Sequence, residues 1–174
     1  MPWTKYLRDE LFVKAGLKET FFFGEPCFHR GAIAIGRGGR TERGNSPDDW
    51  LLTWSLMGNG GMISTAGDLW RWCRALEGDA LLDAAHRERL FTGQVRLPAG
   101  GAEGYGWICA TAPSGETQFE VAGGDDFGFL ALLTWRPKSR VCVALTSNSR
   151  PPPGSLAVVA EALHAKVAAA SARK

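Results

Sequence analysis

The chain has 174 residues, 45% hydrophobic and 22% charged, with a formal net charge of +2. That size and apolar content fit one domain, or one large piece of a bigger one, and exclude a wholly disordered chain. The small charge gives no reason to expect nucleic acid, and no window reads as a membrane span or signal peptide, so the sequence as given reads as cytoplasmic.

Residues 4–15, TKYLRDELFVKA, place Leu7, Leu11 and Ala15 on one helical stripe with Gly16 as its stop. From about Phe21 to Gly61 no period is evident, and the polar, glycine-rich IGRGGRTERGNSPDD reads as a long surface loop. In GNGGMISTAGDLWRWCRAL, Thr65 and Asp68 form a capping-box pattern that predicts a helix through Leu69, Trp70, Cys73 and Leu76. A shorter helix is expected over 83–91. The period then changes, and 105–112, 117–123, 127–135 and 140–148 read as strands joined by short turns. Residues 155–170 predict a closing helix with Ser155 as N-cap and Leu156, Val159, Ala160, Leu163 and Val167 on one face. The order is α+β: an antiparallel sheet of three to four strands with a C-terminal helix packed on it, preceded by a helical and loop lobe. Residues 1–100 are assigned to the lobe and 101–174 to the sheet and helix, as parts of one larger domain.

Few side chains suggest chemistry. Cys27, Cys73, Cys109 and Cys142 show no metal-ligand spacing and read as buried free thiols, so neither metal nor cofactor is expected. In the basic glycine loop, Asn45 stands where a phosphate-binding loop needs lysine, and Thr41 takes the third glycine of a dinucleotide fingerprint. Arg37, Arg40 and Arg43 therefore read as a solvated face. His86 and His164 fall on predicted helices and read as solvent-facing, while no spacing ties His29 to a serine or carboxylate. There is no GxSxG elbow and no HExxH. A literal Ser-x-x-Lys, Ser171 to Lys174, lies in the tail, whereas the chemistry needs its serine at a buried helix start.

Four segments in order carry a resemblance: YLRDELFVKAGLKET, GNGGMISTAGDLWRWCRAL, EGYGWICA and VAGGDDFGFLALLTWRPKSRVCVALTSNS. Together they resemble the serine β-lactamase, DD-peptidase and related esterase superfamily, in particular its class C-like branch. The resemblance implies a partial β-lactamase/transpeptidase-like fold, with helices on both faces of an antiparallel sheet. Counting back from Gly128-Phe129, the family's Lys-Thr-Gly or His-x-Gly box falls on Ala122-Gly123-Gly124. The backbone N–H of Asp125 is then the implied oxyanion donor. Ala122, Gly123, Gly124, Asp126, Phe127 and Asn148 are the implied substrate-binding residues. Ala122 replaces the family's Lys or His, and Asp125 with Asp126 adds negative charge, which favours a neutral ester over a carboxylate-bearing substrate.

The family's Ser-x-x-Lys helix and Tyr-x-Asn loop lie upstream of the region that matches residues 1–20, and neither Tyr6 nor Tyr105 is followed two residues on by Asn. The chain thus reads as a C-terminal portion without nucleophile, inactive alone; the alternative is a non-catalytic binding module using the same cleft. The implied partners are a small-molecule ester or amide once an N-terminal half completes the site. A homodimer or a complementary chain is also implied, because the edge of 140–148 and the apolar faces of 127–148 would lack cover.

Overall fold

The structure is a computed structural model of the chain and describes residues 2–22, 25, 33–37, 60–124 and 128–172. Cys27, His29, Arg40, Arg43, Asp125, Asp126 and Phe127 lie outside the described residues.

The first helical segment begins as α1 (Trp3–Tyr6) and continues as a π-helical stretch over Leu7–Phe12. The wider winding moves the stripe expected from a 3.6-residue period: Phe12 and Ala15 are buried, whereas Leu7 and Leu11 are half-buried. Phe12 stacks on Phe22 at 6.2 Å between ring centroids, and Trp3 meets Phe22 edge-on at 4.6 Å. Phe22 belongs to β1 (Phe21–Phe22), which pairs antiparallel with β2 (Met62–Ile63).

α2 (Ala66–Glu77) starts where the capping pattern predicts: Thr65 is extended and its Oγ1 accepts from the Asp68 amide at 3.2 Å. The reciprocal half of the capping box is replaced by a longer-range contact. Asp68, 0% exposed, turns its carboxylate to the incoming chain. It accepts from the amides of Lys18 (3.0 Å) and Glu19 (2.7 Å) and from the Thr20 hydroxyl (2.7 Å), and pairs with Arg71 at 2.6 Å. Burial alone would raise its pKa. The Glu19 amide, the Thr20 hydroxyl, the Lys18 amide and Arg71 outweigh that and hold it below the ordinary 3.8. α3 (Ala84–Leu90) follows, capped by Asp83, which accepts from the His86 amide at 2.9 Å.

The main sheet has six antiparallel strands in sequential order: β3 (Val95–Arg96), β4 (Ala102–Glu103), β5 (Ile108–Thr111), β6 (Thr117–Gly124), β7 (Leu130–Arg136) and β8 (Val141–Ser147). This corrects the expectation of three to four strands, and the sheet begins at Val95, within the stretch assigned to the lobe. β3 and β4 are two residues each, too short to show alternation. Their hairpin turns on Gly100 (φ 94°) and Gly101 (φ 78°), and a Cβ on Gly101 would come within 2.6 Å of the Cys109 carbonyl.

Alternation along β7 divides the molecule. Leu133 and Trp135 join Cys73, Leu76, Trp107 and Phe119 in the larger core, where Phe91 contacts Trp107, Phe119 and Trp135 at 4.6–5.4 Å. Cys109 and Cys142 pack against this cluster, and Cys109 Sγ donates to the Phe91 carbonyl at 3.3 Å. Leu132 faces the opposite way and packs with Val143 and Ala160 beneath α4 (Ser155–Ser171).

α4 keeps Leu156 and Ala160 of its expected face against the sheet and departs from the rest. Gly154 is the N-cap, while the Ser155 hydroxyl donates to the Pro152 carbonyl at 2.7 Å. Its buried residues are Ala160 and His164, whereas Val159, Leu163 and Val167 are 47%, 38% and 42% exposed. His164 is therefore a buried residue rather than a solvent-facing one. His86 is exposed, as its charged surroundings suggest.

Candidate functional site

The site implied by the sequence lies where β6 outruns its neighbour. β5 pairs with β6 from Ile108↔Glu120 to Thr111↔Thr117 and no further. β7 pairs with β6 all the way to Gly124↔Leu130. Val121–Gly124 therefore has a strand partner on one side, and its other edge is unpaired among the described residues. All four residues are exposed. Such an edge offers backbone N–H and C=O groups that can pair with an extended amide or ester.

The two glycines of this segment differ. A Cβ on Gly123 would meet nothing within 4 Å, so that position opens onto free space. A Cβ on Gly124 would fall 2.6 Å from Leu130 Cδ2, so Gly124 is packed from beneath. Ala122 pairs with Leu132 across the ladder and is exposed.

A strap borders this end of the sheet. The Arg37 amide donates to the Asn148 carbonyl at 2.7 Å, and Asn148 Nδ2 donates to the Ile35 carbonyl at 3.0 Å. Arg37 also forms a parallel bridge with Ser149. Gly128, φ 97°, faces the strap so closely that a Cβ would lie 2.5 Å from the Arg37 carbonyl oxygen. The Asn148 amide thus fastens the strap. Sequence reasoning linked Asn148 to the cleft but missed its bonding to residues 35–37, more than a hundred positions away, for which no local pattern gives a signal.

Ser64 Oγ lies 2.8 Å from Thr20 Oγ1. Because the Thr20 hydroxyl donates to Asp68, Ser64 must donate to Thr20, and the carboxylate at the end of this relay is fully buried and tied to the Lys18 and Glu19 amides and to Arg71. Thr134 Oγ1 and His164 Nε2 are 2.9 Å apart, a hydroxyl–imidazole contact, but they are 2% and 3% exposed beneath α4. No substrate reaches them. Ser171 ends α4 instead of starting it, which removes the geometry that a Ser-x-x-Lys pair requires. A cavity of about 260 Å³ lined by Glu77, Arg87, Trp135, Pro137 and Arg140 opens at the far end of β7 from Leu130 and contains no nucleophile. Among the described residues no group of three or more His, Cys, Asp or Glu could hold a metal ion.

The family model described as Beta-lactamase matches residues 1–168. Among curated proteins the chain is similar to the D-alanyl-D-alanine-carboxypeptidase/endopeptidase AmpH of Escherichia coli (strain K12), with 24% identity over 153 residues, covering 80% of this chain and 38% of that protein. Among solved structures it is similar to a penicillin binding protein from Bacillus halodurans, with a TM-score of 0.71 and 21% identity, covering 92% of this chain and 49% of that one. It is also similar to the D-amino acid amidase from Ochrobactrum anthropi SV3, with a TM-score of 0.71 and 18% identity, covering 99% of this chain and 54% of that one. At these identities the structural likeness shows the fold. The chain spans roughly two fifths to one half of the relatives it matches.

Proposed function

The chain belongs to the beta-lactamase family, and we propose that it acts as the C-terminal portion of a serine hydrolase that cleaves an ester or amide. The observation that carries this reading is the exposed end of β6 at Ala122-Gly123-Gly124, half-unpaired among the described residues, bordered by the strap at Asn148 and followed in sequence by Asp125. In this reading the open edge lines up the substrate's scissile group. The Asp125 N–H then stabilises the oxygen on which negative charge develops, as a fixed donor of this kind does in acyl transfer. The serine and the amine that activates it come from the complementary N-terminal portion. With Ala122 in place of a cation and two acids beside the donor, a neutral substrate is preferred. The relative named as a D-amino acid amidase supports amides within that range.

The test compares the chain alone with the chain joined to an upstream half carrying Ser-x-x-Lys and Tyr-x-Asn. Alone, it gives no turnover of nitrocefin or p-nitrophenyl esters and takes no fluorophosphonate label. Joined, it hydrolyses a neutral ester or amide, and Asp125→Pro, which deletes the backbone donor, lowers kcat by about 100-fold or more. Fluorophosphonate labelling of Ser64 in the isolated chain would defeat this reading.

A further inference from the structure

Beneath α4 the sheet provides a polar seat. His164 Nε2 lies against Thr134 Oγ1 at 2.9 Å, and His164 Nδ1 is a buried nitrogen with no hydrogen-bond partner among the described residues. Two positions along β7, Arg136 is 3% exposed; its Nε donates to Gln118 Oε1 at 2.9 Å and its guanidinium pairs with Glu161 of α4. A neutral imidazole with its proton on Nε2 suits this seat. Nε2–H donates to Thr134, and Nδ1 presents a lone pair, which is less costly to bury unpaired than an N–H. A second proton would have to sit on Nδ1, where no described residue accepts it, in a site that already holds one buried cation.

We propose that His164 is a proton-operated latch: the neutral ring seats α4 on β7 and β8, and protonation releases the helix from that seat. The facing charges are Arg136 from β7, Glu161 from α4 itself and Glu116 from the turn before β6. Gln118 of β6 is tied to Glu120 at 3.2 Å, and β8 presents no charged side chain between Val141 and Ser147. Burial lowers the His164 pKa first and Arg136 lowers it further; Glu161 and Glu116 pull upward without restoring the ordinary 6.5.

The sign follows. Above pH 6.5 the ring is neutral in both folded and unfolded chains. Below it, only the unfolded chain takes the proton until the depressed folded value is reached, so acidification favours release. The released helix uncovers Leu132 and Val143, which Ala160 now covers.

The experiment is urea unfolding of the chain between pH 8 and pH 5, for the unmutated protein, His164→Gln and the surface control His86→Gln. Glutamine can still donate to Thr134 but does not titrate. The unmutated chain and the His86 variant should lose stability below pH 6.5, with the unfolding constant rising by up to about tenfold per pH unit, and His164→Gln should lack that component. Amide exchange across 156–170 should quicken first on acidification. Parallel pH profiles for the unmutated chain and His164→Gln would overturn the latch. So would an NMR titration of the unmutated chain placing His164 at or above 6.5, a measurement that stands even if the variant does not fold.

Discussion

At the scale of single residues, two positions set how the parts of the chain meet. Gly128 combines a left-handed backbone with the carbonyl of Arg37 where a side chain would be. Gly128→Ala should cost about 1–2 kcal/mol from the backbone alone and force the 35–37 strap off the sheet end, seen as a lower denaturation midpoint and faster exchange of the Arg37 amide. Asp68 is the second. Its carboxylate ties three consecutive residues, Lys18, Glu19 and Thr20, to the start of α2, and Asp68→Ala strands those donors in a buried site. A loss of about 3 kcal/mol is expected by urea denaturation. Because its folded pKa lies below 3.8, its contribution is complete above that pH and disappears as pH falls through the folded value, so the parent should lose its advantage over the variant in strong acid. Sequence alone picked out Asp68 as a capping residue. Its larger role depends on a segment fifty residues away and has no local signature.

At the scale of elements, legibility followed the length and regularity of the pattern. α2, with its Thr65 cap, and the strands β5 to β8 were all readable, because a capping residue and a two-residue period are local properties. β3 and β4 were not, since two residues carry no period and the hairpin exists through pairing to β5. α4 was readable as a helix but not in its orientation. The alanine-rich sequence leaves several faces apolar, and contact with Thr134 chose the one that carries His164 over the one that carries Val159, Leu163 and Val167. The two orientations make opposite forecasts for Leu163, while both bury Ala160. On the observed face, Leu163→Lys changes stability by about 0.5 kcal/mol or less, whereas Ala160→Leu, at a position 2% exposed, costs about 1–3 kcal/mol through overpacking. Chemical denaturation of the two variants separates them. Ala122 to Gly124 was legible as the end of a strand, but the end of its pairing to β5 could only be seen in three dimensions.

At the scale of the whole molecule, β8 pairs with β7 alone among the described residues along Val141–Ser147, leaving a seven-residue uncharged edge. Edges of this kind template association. Size-exclusion chromatography with light scattering should therefore give a mass above 18.8 kDa that grows with concentration; a monomer across the whole range would contradict the expectation. The outward-facing valines and leucine of α4 bear on how any such measurement is made. Environment-sensitive dyes report unfolding by brightening on contact with greasy surfaces, and this helix displays one while fully folded. A thermal-shift assay would begin from a bright baseline and blur its own transition, so intrinsic tryptophan emission, with Trp107 and Trp135 both enclosed in the core, is the sounder optical readout.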